Sequence, residues 1–335
     1  MTKKVRIMIS DITDPWFNLA TEDWIFSELD ADCHTLFLWR NAETVVIGRN
    51  QNPWVECRTD KMEQDSVYLA RRQSGGGAVF HDLGNTNFTF LSPKQDYDQQ
   101  VNFNIIINAL KSLGIDAKCS GRNDILVDNK KISGSAFKHK IDRSFHHGTL
   151  LVNTNMTKLS DYLNPHPLKL AAKGIKSVRS RVANLIEYNP HINHQIICNA
   201  IIESFCQHYG QTVEVEILDK NELETNNHLN KYYEMMADWE WRFGKTPEFT
   251  HQMETRFDWG IVDLHLNVKN AMISDVTIFS DALDVNLIDA IKTSLINCNY
   301  QIEAIKQALI STSHKNNDWE QSIKEFIEWL SDEVR

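Results

Sequence analysis

Three consecutive glycines, Gly75, Gly76 and Gly77, stand between strand-like runs, and no other feature constrains this chain as tightly. The run Val67, Tyr68, Leu69, Ala70 leads in, and Phe88 and Phe90 alternating with Asn87 and Thr89 follow. Glycines between strands lose much backbone entropy and contribute no packing, so something there must require bare backbone. The commonest requirement is close approach of a ligand whose anionic oxygens meet N–H groups. Arg71 and Arg72 at the entrance add guanidinium donors suited to phosphate or carboxylate, and His81 and Asp82 close the stretch. A tight turn in a mixed sheet with solvated arginines is the alternative. The four flanking residues favour an anion site.

Neither common phosphate signature is present. There is no G-x-x-x-x-G-K-[ST], and the glycines do not open the G-x-G-x-x-G helix of a dinucleotide fold, which disfavours a kinase or a dehydrogenase. The length of 335 residues suits one large domain plus a small one, expected at 1–245 and 250–335. A net charge of −10 argues against a nucleic-acid binder. No apolar run approaches the ~20 residues of a membrane span, and the N-terminus starts a strand rather than a signal peptide. Six scattered cysteines without a C-x-x-C pair read as reduced thiols, so a soluble cytoplasmic protein is expected, and zinc ligation is not.

Taken in order, Asp14-Pro15 predicts a helix start, with an apolar stripe of Phe17, Ala20, Trp24, Ile25 and Leu29 over 16–29. The runs 36–40 and 44–48 read as a hairpin, with Trp39 and Arg40 as candidates for a pocket wall. A helix is expected over 101–113, closed by Gly114. The stretch from Ser120 to Ala136 reads as two short strands around an Asp128-Asn129 turn, the return strand broken at Ser133-Gly134-Ser135. Small residues beyond Lys131 leave room beside its ammonium for a ligand. In the strand containing His146 and His147 the two rings must face opposite ways. A basic run (Lys169, Lys173, Lys176, Arg179, Arg181) is a further candidate for holding a nucleotide. Lys245-Thr246-Pro247 reads as a linker. Beyond it, alternation from Val262 to Val268 and a turn at Lys269-Asn270 predict a hairpin, then helices over 284–297, 300–311 and 317–332, a small α+β domain.

These motifs together resemble the bacterial lipoate–protein ligase family. They are Arg71-Arg72-Gln73-Ser74-Gly75-Gly76-Gly77-Ala78-Val79-Phe80-His81-Asp82, Ser120-Gly121-Arg122-Asn123-Asp124, Lys131-Ile132-Ser133-Gly134-Ser135-Ala136 and His146-His147-Gly148-Thr149-Leu150-Leu151. The resemblance runs end to end. It implies an α/β (α+β) mixed-sheet catalytic domain shared with biotin–protein ligases, and a small C-terminal domain. It implies ATP and Mg²⁺, activation of lipoate (also octanoate) to lipoyl-AMP, and transfer to a lysine. The acceptors it implies are lipoyl domains of 2-oxoacid dehydrogenase complexes and the glycine-cleavage H protein; a monomer is expected.

By the same resemblance Lys131 is the catalytic residue, binding both the carboxylate and the α-phosphate. Arg72, Gly77, Ala78, Val79 and Phe80 join it in binding ATP. Trp39, Arg72, Gly76, His81 and His147 join it in binding lipoate; position and charge, and not the resemblance, make Asp124 the candidate metal ligand. Adenylation brings two anions together, so a cationic, donor-rich cradle that holds them in line is the main catalytic device. An apolar acyl tail calls for a tunnel lined by residues such as Trp39 and Val79. Two other readings compete: an ATP-independent octanoyl or lipoyl transferase, which would use a reactive cysteine or lysine, and a non-catalytic ligand sensor.

Overall fold

The computed structural model describes residues 4–28, 30, 32–121, 123–163, 182–243, 251–269 and 272–334. Leu29, Arg122, the basic run from Lys169 to Arg181, the Lys245-Thr246-Pro247 linker and Asn270 lie outside them. The strands are β1 (Lys4–Ser10), β2 (Cys33–Trp39), β3 (Thr44–Ile47), β4 (Tyr68–Arg71), β5 (Val79–His81), β6 (Asn85–Pro93) and β7 (Lys118–Ser120). They continue with β8 (Asp124–Val127), β9 (Lys130–His139), β10 (Arg143–Leu151), β11 (Val215–Leu218), β12 (His251–Phe257), β13 (Gly260–Lys269) and β14 (Met272–Ser280).

By contacts the chain divides into two compact units. The first comprises Met1–Ile47, Pro53–Gln73 and Ala78–Phe243. The second comprises Gly244–Arg335 together with two loops from the first half of the chain, Gly48–Asn52 and Ser74–Gly77.

In the first unit a mixed eight-stranded sheet runs β11-β1-β2-β6-β10-β9-β8-β7, and a small sheet runs β4-β3-β5. Period-two alternation divides the central strands of the large sheet between two cores. Leu36, Leu38, Phe88 and Phe90 face one core with Phe103, Ile106 and Leu110 of the helix Gln99–Ser112 and Ile201 and Phe205 of the helix His194–Tyr209. Phe37, Trp39, Leu91 and Phe145 face the other core, with Phe17, Ala20 and Phe26 of α1 (Pro15–Glu28) and Leu229 and Met236 of the helix Asn227–Ala237. α1 begins where Asp14-Pro15 predicts: Asp14 Oδ1 accepts from the N–H groups of Trp16 (2.8 Å) and Phe17 (3.2 Å).

Two strand readings are corrected. The runs 36–40 and 44–48 form no hairpin: β2 pairs with β1 and β6, whereas β3 pairs with β4 and β5 in the other sheet. Buried Asn41 turns the chain from one sheet to the other, its Oδ1 accepting from Asn18 Nδ2 of α1 at 3.0 Å. Nor is β9 broken at Ser133-Gly134-Ser135. It runs through, with a bulge: Ile125 pairs with Ser133 but Leu126 with Lys131, leaving Ile132 extra. The Asp128-Asn129 turn holds as predicted, with φ of 49° and 62°, a left-handed pair that Asp and Asn tolerate.

The second unit contains the antiparallel sheet β12-β13-β14, of which β12 has no counterpart in the sequence reading. Val262, Leu264 and Leu266 pack against the helices Val285–Leu295, Ile302–Ser313 and Glu320–Glu333, near where periodicity places them. Among the described residues no helix is long and apolar enough to cross a membrane.

Candidate active site

The site is built on the face of the large sheet that α1 covers. His147 on β10 and Phe37 on β2 are the register partners of Thr89 on β6. Glu22 of α1 reaches this row, 2 % exposed. Thr89 Oγ1 donates to Glu22 Oε1 at 2.6 Å, and the Trp39 indole N–H donates to Thr89 Oγ1 at 3.2 Å. His147 Nδ1 lies 2.8 and 2.9 Å from the two Glu22 oxygens. A carboxylate only accepts, so Nδ1 carries a proton and the ring orientation is fixed. His146 faces the opposite core among Phe88, Phe90, Phe103 and Phe137, as the alternation requires. Burial pushes its pKa down to about 3.

Arg72 and His81 approach from the end of the small sheet. Arg72 is 6 % exposed, and its Nη1 donates to the Val46 carbonyl at 3.1 Å. Burial lowers its pKa to about 10, against the pull of Glu22. His81 Nδ1 lies 3.2 Å from Asn41 Nδ2 and so accepts, which puts the ring proton on Nε2. Among the described residues Nε2 is buried without a hydrogen-bond partner. Burial, then the charges of Arg72 and His147, push the His81 pKa down to about 3, so the imidazole is neutral.

Lys131 joins this face because of the bulge. In a regular strand Lys131 and Gly134, three residues apart, would point to opposite faces; the extra Ile132 brings them to the same one. A Cβ at Gly134 would lie 2.8 Å from Lys131 Nζ. The ammonium is paired with Asp124 Oδ1 at 2.8 Å, both side chains about one-third exposed. Gly134 is next to Thr149, whose Oγ1 accepts its N–H at 3.3 Å, two residues and about 7 Å along β10 from His147. The room beside the lysine is therefore filled by the lysine itself.

Other predicted residues are placed differently. Arg71 is engaged by the backbone: its Nε and Nη2 donate to the carbonyls of Trp241 and Arg242, both at 2.8 Å. Asp82 ties loops, accepting from Gly84 N–H (2.9 Å) and Asn155 N–H (2.8 Å). The ring of Phe80 stacks on Tyr162 and, with Ala78, belongs to a core cluster around Val45 and Ile47. Val79 packs instead with the cluster that holds Trp39. Lys138, not singled out from the sequence, pairs with buried Asp23 at 3.6 Å. Burial raises the Asp23 pKa, and Lys138 opposes the shift.

The glycine loop belongs to the second unit. Gly76 has φ of 91°, and its N–H donates to the Ala282 carbonyl at 3.1 Å. A Cβ at Gly75 would lie 2.1 Å from that carbonyl oxygen. The bare backbone at these two positions is thus required by the chain's own fold, where a ligand was expected.

Among the described residues no group of three or more His, Cys, Asp and Glu is placed to hold a metal ion. A Mg²⁺ that arrives with a nucleotide needs only one or two carboxylates beside the phosphates and water. Asp124, with one oxygen on Lys131, fits that modest requirement.

Residues 14–206 match the family model described as lipoyl protein ligase A/B catalytic domain, and 246–330 match bacterial lipoate protein ligase C-terminus. The chain is 66 % identical to a lipoate-protein ligase A of Psychrobacter cryohalolentis, over 99 % of each chain. Among solved structures it resembles P. falciparum LipL1 in complex with lipoate, with 37 % identity, TM-score 0.86, and 97 % and 99 % of the two chains covered. It also resembles a bi-partite lipoate protein ligase from Thermoplasma acidophilum, reported with its E2 lipoyl domain (26 %, TM-score 0.64, 74 % and 99 % covered). A lipoate-protein ligase A bound with ATP is similar too (25 %, TM-score 0.63, 72 % and 99 % covered).

Proposed function

The chain belongs to the lipoate–protein ligase family, and on that premise we propose that it couples lipoate to an acceptor lysine in two ATP-driven steps. A lipoate carboxylate oxygen attacks the α-phosphorus of ATP, and the bond to the departing pyrophosphate breaks, giving lipoyl-AMP. The acceptor's ε-amine then attacks the mixed anhydride carbonyl, releasing AMP and a proton and leaving an amide. A relative reported with an E2 lipoyl domain supports acceptors of that kind. The glycine-cleavage H protein as acceptor, octanoate as a second substrate, and a monomeric enzyme are further parts of the reading.

The observation that carries the proposal is the re-aimed Lys131. Its ammonium stands on the face that carries His147, held by one exchangeable carboxylate partner. Two arriving anions can take the place of Asp124, and the same cation then draws carboxylate and α-phosphate together. Arg72 adds charge that the buried setting strengthens, because little water screens it. His81 Nε2–H offers a neutral donor to lipoate beside His147, and Trp39 borders the acyl tail. Gly76 and Gly77 belong to the second unit, so their part in holding lipoate and nucleotide rests on the family motif, as does that of Ala78, Val79 and Phe80. When bound, Mg²⁺ neutralises phosphate charge; Asp124 is the residue to hold it.

The ATP-independent transferase is less well supported. A thiol nucleophile needs a lowered pKa, whereas burial raises Cys33, Cys57, Cys119, Cys198 and Cys298. The match of the C-terminal region to a ligase family model also favours the ligase. The test is lipoate-dependent ATP–pyrophosphate exchange. Exchange that requires lipoate supports adenylation. Transfer of an acyl group from carrier protein without ATP overturns it in favour of the transferase, and ligand binding with neither activity leaves the sensor.

A further inference from the structure

Gly134 stands in the interior of β9, where glycine weakens a strand and nothing in the backbone asks for it. Its φ is not among the positive ones, so an L-residue can take the conformation. Its N–H donates to Thr149 Oγ1 and it pairs with Asp124, so the main chain is held on both sides. What a side chain would meet is the end of Lys131: Nζ at 2.8 Å and Cε at 2.9 Å, with Asp124 Oδ1 at 3.9 Å.

We propose that Gly134 is a positioning residue of the ligase reaction: the space of its missing side chain is the seat of the Lys131 ammonium. The proposal rests on the reading of Lys131 as the bridging cation. The bulge turns Lys131 onto the face of Gly134, the bare Cα lets the amine settle against the strand, and Asp124 closes the seat from the neighbouring strand. A methyl group here leaves the backbone where it is and moves the flexible lysine end instead. The displacement is about 0.7 Å before ordinary contact near 3.5 Å is restored. A cation that must touch two anions at once cannot absorb such a shift, since misplacement by about 1 Å can reduce a rate on the order of 100-fold.

Gly134→Ala and Lys131→Ala are to be compared in the full chain by lipoate-dependent pyrophosphate exchange, with KM for ATP and thermal midpoints measured alongside. Gly134→Ala is expected to lower kcat by about 100-fold with little change in KM and an unchanged or higher midpoint, since loss of glycine restricts the unfolded chain. In the Lys131→Ala background the same glycine change is expected to raise the midpoint further than it does alone, because the steric conflict is gone. That non-additivity can be read even if the single variant is less stable. Wild-type kcat in Gly134→Ala, or strict additivity of the midpoints, overturns the seat. Near-wild-type exchange in Lys131→Ala overturns the role of Lys131 itself, a distinct result.

Discussion

His147 Nδ1 lies 2.8 Å from Oε1 and 2.9 Å from Oε2 of Glu22, joining the middle of α1 to the middle of the large sheet. Both residues are buried, and Thr89 and Trp39 extend the connection across two more strands. The helix therefore carries a carboxylate into a core otherwise made of Phe17, Phe26, Phe37 and Phe145. A buried acid is tolerable only when donors meet it, and here they do.

Glu22→Ala is expected to lose on the order of 3 kcal/mol in urea unfolding, because His147 and Thr89 are left with unmet donors in a buried setting. Glu22→Gln, which keeps the shape and an acceptor, is expected to lose less than half of that. Both should weaken lipoate binding by calorimetry, since the orientation of His147 depends on this carboxylate. Equal unfolding midpoints for Glu22→Ala and wild type would remove the network from any structural role.

Acid is expected to destabilise the fold through its neutral histidines. His81 and His146 have pKa values pushed to about 3, and His194 to about 4, chiefly by burial. Unfolded histidine titrates near 6.5. Below that value the unfolded chain binds protons that the folded chain refuses. Stability is thus complete above about pH 6.5 and falls toward the folded values, by roughly 2 kcal/mol per histidine at pH 5. His146 has neither ring nitrogen hydrogen-bonded among the described residues, so it can be removed most cleanly. His146→Leu should shrink the loss between pH 7.5 and 5.0 by about that amount in urea midpoints. An unchanged pH dependence would show that His146 already binds a proton in the folded state.

Local signals were legible where a few adjacent residues decide the outcome. Asp14-Pro15 starts α1, Asp128-Asn129 makes its turn, and the helices of both units lie near where the apolar period puts them. What stayed hidden depends on distant partners. Asn41 between two strand runs looks like hairpin loop until Asn18 and His81 are known to hold it in a corner. Glu22 and Asp23 are not singled out, because the residues that meet them, Thr89, Lys138 and His147, come from β6, β9 and β10, far along the chain. The face of Lys131 turns on one extra residue in a strand, which no alternation count reveals. Arg71 and Arg72 look equivalent in sequence, but Arg71 donates to the carbonyls of Trp241 and Arg242 whereas Arg72 feels Glu22.

Trp39→Val is expected to cost on the order of 3 kcal/mol, since the indole is buried, lies near-parallel to Phe37 and donates to Thr89. If the side chain also borders the acyl tail, the emptied volume should admit bulkier carboxylates in the exchange assay. Loss of stability with an unchanged substrate range would leave Trp39 as core packing alone.

Removal of the C-terminal unit is expected to impair adenylation. Among the described residues the two cores of the large sheet draw none from beyond Trp241, so a chain ending at Phe243 should still melt cooperatively. The loops Gly48–Asn52 and Ser74–Gly77, which that chain retains, nevertheless lose partners that lie beyond Phe243. Gly76 N–H loses the Ala282 carbonyl, Asn50 O loses the Ser280 N–H, and Arg49 loses Asp289. The glycine loop would then adopt many conformations, and its ordering would have to be supplied by the nucleotide at the expense of affinity. Lipoate-dependent exchange should therefore fall, chiefly through KM for ATP, and adding the fragment 244–335 back should restore part of it. In the full chain Gly75→Ala is the finer probe, since its Cβ would lie 2.1 Å from a backbone oxygen that cannot move aside. It should raise KM for ATP in the same direction. Gly76→Val is a poorer choice, because at φ of 91° any side chain is strained whether or not a ligand binds. A truncated, folded chain with wild-type exchange would show that the loop orders itself without Ala282.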